Sequence, residues 1–101
     1  AMRREFAARC RLVHERLAAM PGVTVAPPQG SFYLFPRIAQ IGGDGRRFAL
    51  ELLDREQVVV VPGEAFGPSG VGCVRLACTV GQERLAQAMD RLERFLAGYR
   101  A

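Results

Sequence analysis

Residues 72–79 read Gly72-Cys73-Val74-Arg75-Leu76-Ala77-Cys78-Thr79. Val74, Leu76 and Cys78 recur at every second position, the period of a β-strand, while Cys73, Arg75 and Ala77 take the opposite face. This alternation predicts the last strand of the chain. Thr79 followed by Gln82 fits a capping box, in which each side chain meets a free backbone N–H and a helix begins. That helix carries Leu85, Met89, Leu92 and Leu96 on one stripe and Arg84, Arg91 and Glu93 mostly outside it, with Gly98 as its stop.

Working back from this strand, Glu64 to Gly72 is a glycine-rich loop around Phe66, and Val58-Val59-Val60-Val61, closed by Pro62-Gly63, is a β-branched run of the kind that suits a buried strand. A helix is predicted from about Arg46 to Arg55, with Phe48, Ala49, Leu52 and Leu53 turned inward, behind a loop at Ile41 to Gly45. Ser31 to Phe35 alternates: Ser31, Tyr33 and Phe35 share one face, Phe32 and Leu34 the other. Aromatic residues on both faces suggest a strand covered on both sides, ended by Pro36. Pro27-Pro28-Gln29-Gly30 forces a turn, and Val23-Thr24-Val25 is a short extended piece. The opening segment places Phe6, Cys10, Val13, Leu17 and Met20 on one helical stripe, stopped by Pro21-Gly22. The expected fold is α+β: a small, mainly antiparallel sheet of three to four strands with helices packed against it, in a single domain over residues 1–101.

Half of the chain is apolar, enough for a core without disulfides. The formal net charge is +4, and all 14 basic residues are arginine; there is no lysine. Most arginines alternate with acids at helical spacing, which is the pattern of solvated helix faces. A nucleic-acid groove needs a denser basic stripe with aromatics between the charges, so no nucleic-acid partner is expected. No apolar run reaches membrane-spanning length. The chain opens on charge rather than a leader, and Ala1 reads as an arbitrary start. Cys10, Cys73 and Cys78 are odd in number and lack metal spacing, which points to reduced, semi-buried thiols of a cytoplasmic protein.

Arg75 is the first candidate for chemistry. On its own strand face it is flanked only by Cys73 and Ala77, so it is either solvated or aimed into a pocket. In a pocket its planar fork of donors suits a carboxylate. The loop Pro62-Gly63-Glu64-Ala65-Phe66-Gly67-Pro68-Ser69-Gly70 is the second candidate, because its glycines could let backbone approach a ligand. Its spacing matches no nucleotide-binding loop, and a plain surface turn is the alternative. The stretch Gly30-Ser31-Phe32-Tyr33-Leu34-Phe35-Pro36 is the third, in which Tyr33 could put its hydroxyl into a site, with a strand core as the alternative. His14, the one histidine, lies on a charged helix face away from Ser31 in sequence, so a nucleophile–base pair is not expected.

Taken together, these stretches resemble one family. Pro28-Gln29-Gly30-Ser31-Phe32-Tyr33-Leu34-Phe35-Pro36 looks like the P-x-G-(A/S)-F-Y-x-F-P signature of fold-type I, pyridoxal-phosphate (PLP)-dependent class I/II aminotransferases, the aspartate aminotransferase-like group. Leu52-Leu53 with Val58 to Gly67 resembles their LL…V-x-V-x-P-G-x-x-F-G segment, and Val74-Arg75-Leu76 their arginine strand. The resemblance implies the C-terminal small domain of a homodimeric enzyme that moves an amino group between an amino acid and a 2-oxo acid. Arg75 would grip the substrate α-carboxylate. Phe32, Tyr33, Pro62, Gly63 and Phe66 would line the cleft, and a large domain outside this chain would hold PLP on a lysine. Ala77 stands in place of a frequent serine, and Cys73 in place of a larger residue.

Two other readings share these features. One is a transcription regulator carrying an aminotransferase-like domain. The other is a stand-alone amino-acid-binding module, which would need a complete pocket within this chain. The aminotransferase reading has a consequence specific to the composition. PLP chemistry needs a lysine amine for its Schiff base, so PLP added to this chain should give no aldimine absorbance; a Schiff base to a side chain trapped by borohydride would refute this.

Overall fold

The computed structural model describes residues 2–26 and 33–99. The turn expected at Pro27 to Gly30, Ser31, Phe32 and the side chain of Phe6 lie outside the described residues. In chain order the elements are α1 (Met2–Ala18), β1 (Val23–Thr24), β2 (Tyr33–Leu34), β3 (Arg37–Ile38), α2 (Gly45–Glu56), β4 (Val61–Pro62), β5 (Val74–Ala77) and α3 (Gln82–Gly98). The α+β architecture with an antiparallel sheet is as expected.

One register organises the sheet. β5 lies between β2 and β4, antiparallel to both: Tyr33 faces Ala77, Leu34 faces Leu76, and Val61 faces Arg75. Pro36 does not end the pairing, contrary to expectation. Proline has no N–H to give the ladder, yet its carbonyl accepts from Val74 N at 3.1 Å, and Arg37 bridges to Cys73 in the same register. β3 then pairs with β1, Ile38 against Val23. That register sets Phe35 across from Arg75, and directly opposed residues in an antiparallel pair share a face.

The sheet has one covered and one open face. Leu34, Pro36, Ile38, Val74, Leu76 and Cys78 are buried. Tyr33 and Phe35 on the other face are 39% and 53% exposed, so the aromatic strand is not covered on both sides. The valine run departs from expectation in the same way. Only Val61 enters a strand; Val58 and Val60 are buried, whereas Val59 is 71% exposed. The reason is position: β4 is an edge, with β5 as its single strand neighbour among the described residues.

The helices seal the covered face. Cys10, Val13 and Leu17 of α1 and Leu85, Met89, Leu92 and Leu96 of α3 are buried along the stripes that the periodicity predicts. α1 packs on α3, and Arg16 spans them to Asp90 at 2.6 Å. In α2, Phe48, Ala49 and Leu52 are buried, but Leu53 is turned out. Phe48 meets Phe95 and Tyr99 edge-on, at 5.5 and 5.2 Å between ring centroids. A 3-10 turn over Ala39–Ile41, with Ile41 buried, leads into the stretch expected as a loop before α2, and Asp44 caps the helix by accepting from Arg47 N at 3.0 Å. The capping box at Thr79 does not form. Gly81 is the N-cap of α3, without a side-chain cap; the Thr79 carbonyl accepts from Arg9, and Gln82 donates to Glu5.

Cys10 and Cys78 are fully buried rather than semi-buried, and they hydrogen-bond to one another. Burial pushes the Cys78 thiol up to about 12, aided by the Cys10 contact, so it stays protonated and unreactive.

The loop after β4 is two 3-10 turns, Gly63–Phe66 and Pro68–Gly70, folded back to back. Gly63 N donates to Cys73 O at 2.7 Å, and a Cβ on Gly70 would overlap the Gly63 carbonyl. Two backbones approach here with no flexible side chain to yield. Gly70→Ala should therefore cost about 1–3 kcal/mol in denaturant unfolding. Gly43→Ala, where a Cβ meets nothing within 4 Å, should stay within about 0.5 kcal/mol.

Glu56 at the end of α2 pairs with Arg94 of α3, and that hydrogen bond holds its carboxyl below the ordinary 4.5. The folded chain thus binds fewer protons at this site than the unfolded chain. The contribution to stability is full above pH 4.5 and is lost as pH falls through the lower folded value. Glu56→Gln should flatten that part of the pH–stability curve, read as denaturation midpoints across the acid range.

Candidate functional site

β5 presents Arg75 on the open sheet face, because Val74 and Leu76 take the covered face on either side of it. The side chain is half-buried. Its surroundings are aromatic: the guanidinium carbon lies 4.5 Å from the Tyr33 ring centroid and 5.1 Å from that of Phe66. Phe35 meets Phe66 edge-on at 6.2 Å, which links the end of β2 to the turn after β4 across β5.

Seven other arginines behave differently. Arg9, Arg16, Arg47, Arg55 and Arg94 each meet a glutamate or aspartate. Arg37 donates to Val71 O and Arg91 to Glu56 O. Among the described residues, no carboxylate pairs with Arg75 and no acceptor takes its hydrogen bonds. A guanidinium offers five N–H donors in one plane. At Arg75 the neighbouring groups are π-faces, which attract the cation without using those donors. The arrangement can receive a planar anion such as a carboxylate through two parallel bonds.

Of the residues singled out in the sequence, the fold brings Arg75, Tyr33 and Phe66 together. Pro62 and Gly63 serve the site from behind: Pro62 pairs with Val74 in β4, and buried Gly63 anchors the turn that carries Phe66. Phe32 lies outside the described residues. Phe35 is a member of the site that the cleft residues expected from the sequence do not include. Its signal is present, since alternation sets it on the Tyr33 face, but its place opposite Arg75 depends on the cross-strand register.

The fold adds a second surface that no motif signals. α2 and the edge beside β4 enclose a groove of about 420 Å³, lined by Leu50, Leu53, Val59, Pro62 and Ala65 among others. It is apolar because Leu50, Leu53 and Val59 are exposed there. Among the described residues there is no group of three or more His, Cys, Asp or Glu able to hold a metal, and no helix long and apolar enough to cross a membrane.

Residues 1–92 match the family model for aminotransferase class I and II. The chain is 42% identical over 97 residues to an aspartate aminotransferase of Pyrococcus horikoshii, covering 96% of this chain and 25% of that protein. It is 44% identical over 95 residues to aromatic-amino-acid aminotransferase 2 of Thermococcus litoralis, covering 94% and 24%. Among solved structures, an aminotransferase from Escherichia coli superposes with a TM-score of 0.91 at 25% identity, over 96% of this chain and 25% of that one. An aromatic aminotransferase from Pyrococcus horikoshii does so with a TM-score of 0.87 at 43% identity, over 95% and 25%. The chain thus spans about a quarter of the length of the curated relatives it matches. On its sequence and its fold alike, the chain belongs to the class I and II aminotransferase family.

Proposed function

We propose that residues 1–101 form the C-terminal small domain of a PLP-dependent aminotransferase, and that Arg75 binds the α-carboxylate of the amino acid or 2-oxo acid substrate. The observation that carries this reading is Arg75 itself: half-buried on the open sheet face, against two aromatic rings, with no acid partner among the described residues. A buried or half-buried cation is usually paired, so one left without an internal anion is suited to an anion that comes and goes.

The residues of this chain do not fit the cofactor. PLP supplies the electron sink for amino-group transfer when it is held on a lysine amine, and the chain contains no lysine. The chain's own contribution is to hold the substrate carboxylate, turn it to a defined orientation and keep water from the guanidinium faces with Tyr33 and Phe66. Orientation of this kind is a large part of what an enzyme does to a bound reactant.

The rest of the parent polypeptide is the natural cover for the open sheet face and for the groove between α2 and β4. Exposed apolar surface of that sort marks an interaction site, and about three quarters of each curated relative lies outside the matched region. A homodimeric, cytoplasmic parent belongs to the same reading, as does a cleft rim formed by Tyr33 and Phe66 with Pro62 and Gly63 behind it.

In the parent enzyme, Arg75→Leu should lower kcat/KM for amino acids by at least about a hundredfold, since two charge-assisted hydrogen bonds are lost. Arg84→Leu, at an exposed position of α3, should stay within about twofold of the native enzyme. Steady-state transamination assays of the two variants check both values, and an Arg75→Leu enzyme of native efficiency would sink the proposal.

A further inference from the structure

An arginine side chain has four rotatable torsions and costs about 2 kcal/mol of rotamer entropy to immobilise. β5 sets only the direction in which the Arg75 side chain leaves the backbone. Its neighbours on the same strand face, Cys73 and Ala77, are too short to confine it. An acidic partner would hold it, at the cost of competing with any incoming carboxylate for the same N–H groups. The structure holds it another way.

We propose that Tyr33 and Phe66 are positioning residues that fix the Arg75 guanidinium by its π-surface, leaving its N–H edge open to the substrate carboxylate. The proposal rests on the reading of Arg75 as the carboxylate site. The two rings reach the cation from opposite sides of β5, at 4.5 and 5.1 Å. Tyr33 is set by the ladder on one side, where it faces Ala77. Phe66 comes from the other side, at the end of the turn after β4.

Each ring is itself held. The Phe66 turn starts at Gly63, whose N–H is tied to Cys73 O and whose carbonyl lies against Gly70. Phe35, in register with Arg75, packs edge-on against Phe66. A chain of contacts therefore runs from β2 over Arg75 to the turn. The rings attract the cation through their quadrupole and take none of its hydrogen bonds. The guanidinium is thus ordered before substrate arrives, and the substrate does not bear the entropy of ordering it.

The test uses the full-length enzyme that carries this chain, with Tyr33→Leu, Phe66→Leu, the aromatic replacements Tyr33→Phe and Phe66→Tyr, and Arg75→Leu as benchmark. Each leucine variant should raise KM for an amino acid by about three- to tenfold with kcat changed less than about twofold, because ground state and transition state lose the same contact. Preference for the amino acid over its carboxamide should fall by the same factor, a change that general loosening of the fold would not produce. The aromatic replacements should restore both. Phe66→Leu combined with Arg75→Leu should be no worse than Arg75→Leu alone, since Phe66 acts through Arg75.

Native KM and acid preference in the leucine variants would overturn the proposal, as would losses that add in the double variant. Loss of acid preference in Arg75→Leu alone would leave the carboxylate reading standing and remove only the ring clamp. Retention of that preference in Arg75→Leu would remove both.

Discussion

Strand β5 is bonded along both edges, and its register against β2 and β4 governs both the core and the open face of the sheet. Because side chains alternate, a shift of one residue would exchange Val74, Leu76 and Cys78 for Cys73, Arg75 and Ala77 on the helix-covered face. That exchange would bury a guanidinium and expose the centre of the core, so the register is strongly specified. The same pairing continues through the break at Pro36 to Arg37. Phe35 therefore lies opposite Arg75, and Tyr33 two pairs further along on the same face.

Charge is distributed with a clear division of labour. Five helical arginines, Arg9, Arg16, Arg47, Arg55 and Arg94, are tied to acids, some within a helix and some between helices, as in Arg16 with Asp90 and Arg94 with Glu56. Exposed pairs of this kind contribute little each, and they leave the basic excess spread over the surface. Arg75 differs in setting rather than in residue type. It lies against two rings where those five meet carboxylates, so its capacity to bind an anion is not used up inside the molecule.

The turn after β4 shows how backbone constraint serves that setting. Gly63 and Gly70 bring two stretches of main chain closer than any side chain allows. The contact fixes where Phe66 emerges, and the Phe35 ring meets it from across the strand. The open sheet face is thus built of rigid parts although nothing in the described residues covers it. The apolar groove beside α2 is a second uncovered surface among the described residues, in a chain that spans about a quarter of the length of its curated relatives.

Much of this was legible in the order of residues alone. Period-two alternation at 73–78 and the helical stripes through Cys10, Val13 and Leu17 and through Leu85, Met89 and Leu92 are local patterns, and burial followed them. The combined motifs were enough to suggest the family. What local pattern could not carry was neighbourhood. Whether Tyr33 and Phe35 were core or open, whether Thr79 or Gly81 capped α3, and whether Leu53 and Val59 faced inward depended on which elements came to lie beside them. The same holds for Arg75. Sequence placed it on a strand face with small neighbours, and it left open whether that face was solvated or formed a pocket. Only the pairing of distant strands brought Tyr33 and Phe66 to it, because contacts between residues far apart in the chain are set by packing and register rather than by propensity.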